Sequence, residues 1–345
     1  MPGVFAKEEH MINYSEADLF LIEKYRDFLP KKVFDAHIHI AKKPSAPDVP
    51  FDTQTPADYK RDMSPLLPGV EEIRLNMMPY PARRALSQRE NGLLDKSNDY
   101  AFSLVEEGCP NVVSPLIHPK DSEEVIWKLT ERPGCRGLKC YAHISGAQDL
   151  ESLPIDAYLP ETAWVVANEK KLPIILHLFR KAALSDPENL SYINTMAKKY
   201  PDARLVLAHC GRAFASWTLM DSIHKLQDNG NIWFDLAAVC EFGTMAACIL
   251  KNAGKRVLWG SDYNVGMLPG RAISVGSWQD WLDGEDYKGT QRALVATENL
   301  MAFYQAALLL NLDQTQIEDI FYNNAASLFG LAGGYYPPLL TVCGR

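Results

Sequence analysis

The chain has no basic block, no cysteine pairing pattern and no long apolar run, and each absence removes a class of function. Lys and Arg number 35 against 43 Asp and Glu, a formal net charge of −8, so nothing supplies the positive field that nucleic acid or an anionic membrane requires. Neither is expected as a partner. The seven cysteines, at 109, 135, 140, 210, 240, 248 and 343, are odd in number and irregular in spacing, with no Cys-x-x-Cys pair. That speaks against a disulfide framework and a structural zinc knuckle, and for a reducing compartment. No stretch approaches the roughly 18 apolar residues of a membrane span, and Lys7 to Asp18 is acidic and polar where a signal peptide is apolar. The expected location is the cytoplasm. No Gly-x-Gly-x-x-Gly follows the first strand-like run, which removes the main support for a dinucleotide fold.

What is present is an ordinary globular composition, 47% hydrophobic and 23% charged over 345 residues, enough to bury a large core. Short β-rich runs alternate with helical patterns. The runs are Val33–His39, Ile73–Met78, Val112–His118, Gly137–Ala142, Pro173–Leu178, Arg204–His209, Ile232–Ala237 and Val257–Ser261. Helical spacing marks Ala101–Gly108, Ser122–Thr130, Ala157–Lys171, Asn189–Tyr200, Phe214–Asp228 and Glu241–Ala253. Runs such as Ile174-Ile175-Leu176 are apolar throughout, as expected of strands buried on both faces. The pattern predicts an α/β fold, a distorted (β/α)8 TIM barrel spanning 33–332. A doubly wound open sheet is the alternative that counting leaves open. Ser15 and Asp18 form a capping-box pattern that opens a helix ending before Pro30, so residues 1–32 read as an N-terminal helical extension and 333–345 as an irregular tail. Two long segments, 41–70 and 264–290, follow strands on the side where barrels build their sites.

The most informative stretch is Val33-Phe34-Asp35-Ala36-His37-Ile38-His39. Residues i and i+2 of a strand face the same way, so both imidazoles can aim at one point. One such pair is weak evidence. However, His177 ends the fifth run, His209 ends the sixth and Asp262 follows the eighth. In a βα barrel the C-terminal strand ends converge on one rim, so these residues can meet. Neutral imidazoles and a carboxylate suit Zn²⁺ or Mn²⁺ with a position left open for water. Asp262 can contact the ion and receive the proton of the water. His209 can hydrogen-bond that water or stabilise charge developing on a substrate oxygen.

The segments DAHIH, ILH, LAHCG and WGSD, in this order on strands one, five, six and eight, together with NNAASLFGL at 323–331, resemble the amidohydrolase superfamily. More narrowly they resemble its amidohydrolase-related branch of metal-dependent TIM-barrel hydrolases and decarboxylases. The resemblance implies His37, His39, His177 and Asp262 as ligands of one divalent metal, zinc first and manganese second, with His209 as the catalytic imidazole. It also draws attention to Lys139, near the place where some superfamily members carry a carboxylated lysine that bridges two metals.

Lys139, Arg83, Arg180 and His143 are the further candidates for substrate binding, with Arg84 and Arg212 also near the rim. An arginine there can clamp a carboxylate bidentately, which points to a small carboxylate-bearing substrate. The leading expectation is a hydrolase that directs a metal-activated water at a lactone, amide or related carboxylic derivative. The alternative is non-oxidative decarboxylation of an aromatic or muconate-type acid, and a non-catalytic metal-binding barrel stands third. A homodimer is the default symmetric assembly.

Overall fold

The computed structural model describes residues 12–42, 54–80, 92–105, 111–227, 230–275, 278–281 and 292–331. Eight parallel strands run in sequence order: β1 (Lys32–Ile40), β2 (Glu72–Pro79), β3 (Val112–Val113), β4 (Leu138–Cys140), β5 (Pro173–Leu176), β6 (Arg204–Leu207), β7 (Ile232–Asp235) and β8 (Val257–Leu258). The ladders join β1-β2-β3 and β4-β5-β6-β7-β8. Two seams connect these sheets. Between β3 and β4, Val113 bridges Cys135, Leu116 bridges Lys139, and Ile117 N donates to Lys139 O at 3.0 Å. Between β8 and β1, Ile38 bridges Tyr263, Ala36 N donates to Trp259 O at 3.1 Å, and Asp262 N donates to His37 O at 2.9 Å. The fold is a distorted TIM barrel.

Gly260 makes the second seam possible, because a Cβ there would stand 2.8 Å from His37 Cβ and 3.3 Å from Ala237 Cβ. The register of β1 against β2 shifts between Asp35 and Ile38, and a bulge of this kind re-aims the side chains beyond it. Phe34, before the shift, and Ala36, within it, share an apolar cluster with Ile175, Val206 and Leu258 across the barrel. His37, within it, and His39, beyond it, face the functional rim. The other end is plugged by the helix Asn324–Leu328, whose neighbour Phe329 stacks on Phe34 with centroids 5.4 Å apart.

Where the observed elements depart from the sequence pattern, a proline and polar side chains that bond the backbone are the causes. The helix expected over 101–108 is Leu93–Ser103. Its apolar stripe is masked by Ser97 and Asn98, both buried, and the Asn98 amide pairs with the N–H and C=O of Leu116. The helix expected over 214–228 shrinks to Trp217–Met220 and the 3₁₀ turn Ile223–Lys225. Thr218 and Ser222 hydroxyls there donate to the carbonyls three residues back, which competes with helix continuation. Strand three is short because Pro115 supplies no ladder N–H.

The long segments also carry structure of their own. Within 41–70 lie the helix Pro56–Met63, capped by Thr55, and the 3₁₀ turn Ser64–Leu66. Within 264–290, β9 (Ala272–Val275) pairs antiparallel with β10 (Trp278–Trp281). The predicted capping box of Ser15 and Asp18 opens the helix Glu16–Tyr25. The buried Asp18 carboxylate also accepts from Leu294 N at 2.8 Å and Thr297 Oγ1 at 2.7 Å, so one acid caps two helices, its own and Val295–Leu310. No described helix is long and apolar enough to cross a membrane. The tail from 333 onward lies outside the described residues.

Candidate active site

The rim gathers the five residues expected there. Nε2 of His37 and of His39 lie 3.6 and 3.4 Å from Oδ1 of Asp262. The ring centroids of His37 and His209 are 4.8 Å apart, those of His177 and His209 5.0 Å, and those of His37 and His39 5.2 Å. His37 is fully buried, and His39, His209 and Asp262 nearly so.

The backbone that presents them is strained. Asp262 has φ 53°, and His209, Cys210, Gly211 and Arg212 form a left-handed turn with φ 54°, 55°, 73° and 59°. Such conformations cost non-glycine residues on the order of 1–3 kcal/mol each and persist only where the surroundings impose them. Here His209 N donates to Asp235 Oδ1 at 2.8 Å, and Ala213 N to His209 O at 2.8 Å. Asp262 is held by its N–H on His37 O and by Gly266 N on its own carbonyl, also 2.8 Å. The turn at 209–212 brings both His209 and Arg212 to the cavity wall.

Hydrogen bonds assign the tautomer of His209. Its Nδ1 lies 2.8 Å from Ala237 O; a carbonyl can only accept, so Nδ1 carries the proton and Nε2 of the neutral ring is an acceptor. His37 Nδ1 lies 2.9 Å from Asp235 Oδ2. Three buried ring nitrogens, His37 Nε2, His39 Nδ1 and His177 Nδ1, have no hydrogen-bond partner. A buried polar atom left without a partner is costly. Of the three, His37 Nε2 stands beside Asp262 Oδ1, where Nε2 of His39 joins it, and imidazole nitrogens beside a carboxylate are the donor set of a zinc or manganese ion. His37, His39 and Asp262 stand close enough together to hold one ion.

Electrostatics agree with that donor set. Burial drives the imidazoles of His37, His39 and His177 below their ordinary value, against the pull of Asp262 on the first two, so they are neutral. Burial works to raise Asp262 too, yet the hydrogen bond with His39 and the polar imidazoles of His209, His37 and His39 around it hold it well below the usual carboxylate range. Burial raises the carboxyl of Asp235 while His209 and Lys139 oppose it. Its Oδ1 accepts two backbone N–H groups, of His209 and Ala237, which favour the ionised form, and its Oδ2 stands 2.9 Å from His37 Nδ1.

A cavity of about 410 Å³ opens over these groups, within the usual range for small-molecule sites. Tyr80, Tyr141, Phe179 and Phe214 supply aromatic walls, and Val265, Leu268, Pro269 and Val295 an apolar side. His143 also lines it, its ring stacked on Tyr141 at 5.1 Å.

The arginine at the wall is Arg212. Its Nη1 donates to Arg180 O at 3.2 Å, and it has no carboxylate partner among the described residues. Arg180 itself is engaged by Asp186 at 3.3 Å and Glu188 at 2.5 Å and does not line the cavity. Lys139 is fully buried in β4, level with Ile175 of β5, with no hydrogen-bond partner for Nζ, which lies 5.6 Å from the centroid of the Tyr141 ring. It stands one layer below the cavity rather than on its wall, and burial lowers the pKa of its amine. Arg83 and Arg84 lie outside the described residues, as do the side chains of Trp278 and Trp281. His118 accepts from Lys120 N and is not part of the wall. The sequence reading passed over Asp235, although it ends an apolar strand as legibly as His177 does, and the aromatic wall, whose residues sit in loops.

A parallel barrel here gathers imidazoles and a carboxylate at its C-terminal rim, a donor set that could hold a metal ion. The amidohydrolase family model matches residues 34–331, and the chain belongs to that family. Among solved structures it is similar to a putative 2-pyrone-4,6-dicarboxylic acid hydrolase from Pseudomonas putida, with 13% identity over 88% of this chain and 99% of that one, TM-score 0.53. It is also similar to a dihydroxybenzoic acid decarboxylase from Polaromonas with bound manganese and the inhibitor 2-nitroresorcinol, with 17% identity over 88% and 98%, TM-score 0.52. A third similar structure is an amidohydrolase from Burkholderia multivorans with bound zinc, with 13% identity over 87% and 99%, TM-score 0.54. At these identities the likeness speaks for the fold. A comparison with curated proteins returns no match.

Proposed function

We propose that this protein is a metal-dependent hydrolase of a small, flat, carboxylate-bearing lactone, amide or related derivative. The observation that carries the reading is the ionised Asp262 carboxylate set against His37 and His39 at the floor of an aromatic cavity that also holds Arg212. His37, His39, His177 and Asp262 would hold the ion, zinc first and manganese second. When bound, the ion supplies a Lewis acid and makes water a competent nucleophile near neutral pH.

The chain's own residues do the rest. Asp262, charged at neutral pH, accepts a proton from the attacking water and returns it to the leaving group. His209, its Nδ1–H fixed on Ala237 O, offers Nε2 as an acceptor that orients the water. Arg212 takes the substrate carboxylate through a charge-assisted fork, and the aromatic walls stack the flat remainder. Lys139, buried below, adds a positive field to the cavity floor rather than a direct contact. His143 and Tyr141 form one side of the stacking wall.

The second reading is non-oxidative decarboxylation of an aromatic acid, favoured by the aromatic lining and by the likeness to a dihydroxybenzoic acid decarboxylase. The same groups would bind and protonate the substrate. Incubating the zinc- and manganese-loaded protein with a panel of pyrone, lactone and hydroxybenzoic acids separates the two. Products heavier by one water support hydrolysis, and released CO₂ supports the second reading. Full activity after replacement of Asp262 by Asn would overturn the proton role assigned here in either reaction.

A further inference from the structure

Two imidazoles of the site, His37 from β1 and His209 from beyond β6, depend on one carboxylate that neither the motif nor the cavity wall includes. Asp235, fully buried at the end of β7, sets Oδ2 2.9 Å from His37 Nδ1. Its Oδ1 accepts from His209 N at 2.8 Å and from Ala237 N at 3.2 Å. The carbonyl of that same Ala237 receives the Nδ1–H of His209. Residues 235–237 therefore grip one imidazole by its ring and the other by both ring and backbone.

We propose that Asp235 is the positioning residue of this centre: it fixes His37 as the Nδ1–H tautomer, leaving Nε2 bare toward the ion, and pins the left-handed turn that carries His209. The inference rests on the metal site read above and deepens it. A neutral imidazole carries one N–H. An ionised carboxylate only accepts, so that proton belongs on Nδ1. Because His37 is fully buried, no bulk water stands by to replace the carboxylate. A ligating histidine held through its other nitrogen is oriented and made more basic, and losing the partner typically costs 10- to 100-fold in metal affinity.

His37, His209 and Asp235 also lie close enough to hold an ion among themselves. Their hydrogen bonds exclude that use. Asp235 Oδ1 is already engaged by two backbone N–H groups and Oδ2 by the His37 ring, and His209 Nδ1 is turned onto Ala237 O.

The test is Asp235→Asn, which keeps the shape but offers one acceptor and one donor. With the amide oxygen retained on the two backbone N–H groups, its NH₂ faces His37 Nδ1, and the ring proton is forced to Nε2. Zinc and manganese affinities, measured by competition with a chromophoric chelator, should fall roughly 10- to 100-fold, with wild-type circular dichroism in the metal-free state. Asp262→Asn serves as the ligand-loss control. Wild-type affinity in Asp235→Asn overturns the inference and leaves the metal site standing. Failure of the wild type to bind either ion overturns the metal site and this inference with it. Should Asp235→Asn not fold, nitrogen NMR of histidine-labelled, metal-free wild type decides: His37 protonated at Nδ1 supports the inference, and His37 protonated at Nε2 overturns it.

Discussion

His209 Nδ1 sits 2.8 Å from the carbonyl oxygen of Ala237 on a residue whose own φ is 54°. The ring is aimed by a hydrogen bond while its backbone is held in a conformation that only a few residue types adopt readily. Asparagine is one of them, and its side-chain amide can donate to Ala237 O much as Nδ1–H does. His209→Asn should therefore keep its stability within about 1 kcal/mol of wild type, as substitutions that preserve such features do. It loses the acceptor at Nε2, and turnover should drop roughly 10²- to 10⁴-fold. Thermal melts and rates on the substrate identified by the acid panel check both halves. A variant that unfolds, or one that turns over normally, contradicts this assignment.

Arg212 is presented to the cavity by the same turn, with a backbone carbonyl as its named partner. Replacing it with Gln removes a charged donor pair that is worth about 1.5–3 kcal/mol for each hydrogen bond to a charged group. KM for a carboxylate-bearing substrate should rise about 10- to 100-fold, while a neutral ester analogue shows little change. Equal effects on both would mean that Arg212 shapes the wall without binding the acid. Arg180→Gln, which removes the ion pairs with Asp186 and Glu188, should leave the comparison between acid and ester unchanged.

How far the sequence disclosed this arrangement follows from the kind of residue involved. Strands five and six, Pro173–Leu176 and Arg204–Leu207, are legible because residues buried on both faces leave an unbroken apolar run, and a histidine at its end stands out. Asp235 ends the Ile232-Trp233-Phe234 run in the same way, and strand-end polarity alone could have flagged it. Tyr80, Phe179 and Phe214 carry no such mark, since an aromatic side chain just past a strand reads equally well as core. The left-handed turn at 209–212 was illegible for a different reason. Three of its four residues are not glycine, and the Asp235 carboxylate that holds the His209 N–H is remote in sequence. Arg180 and Arg212 each lie three residues past a rim histidine, and only the placement of Asp186 and Glu188 tells them apart.

The nitrogens of His37 and His39 set against Asp262, that of His37 without a hydrogen-bond partner, make removal of metal measurable without a substrate. An ion that binds only the folded chain stabilises it by about 2.7 kcal/mol when present at 100 times its dissociation constant. Melting of chelator-treated protein should thus occur several degrees below that of protein resupplied with zinc or manganese. Asp262→Ala and His39→Ala should abolish most of the shift. Identical melting curves with and without the ions in the wild type would contradict the site.

The metal-free protein should also lose stability in mild acid, and the sign follows from which state takes up protons. His37, His39 and His177 are pushed below the ordinary 6.5 by burial, so below that pH the unfolded chain binds protons that the folded chain refuses. Each such imidazole costs up to about 1.4 kcal/mol per pH unit. Asp35 works in the other direction. Burial lifts its carboxyl from 3.8 to about 7, against hydrogen bonds from Ser261, Tyr59 and His37, so between those values the folded chain holds a proton that the unfolded chain has released. Its contribution grows as pH falls from 7 toward 4. Burial also raises Asp235 and Glu298, the first opposed by His209 and Lys139 and the second by Arg271; with three imidazoles working the other way, urea denaturation of chelated protein should show a net fall in stability from pH 7 to 5. Asp35→Asn removes one opposing contribution while keeping an acceptor for the N–H groups of His37 and Ser261, so its acid loss should be steeper than that of the wild type. A metal-free wild type that grows more stable over this range, or an Asp35→Asn slope shallower than the parent's, would show that these buried groups do not titrate as their surroundings require.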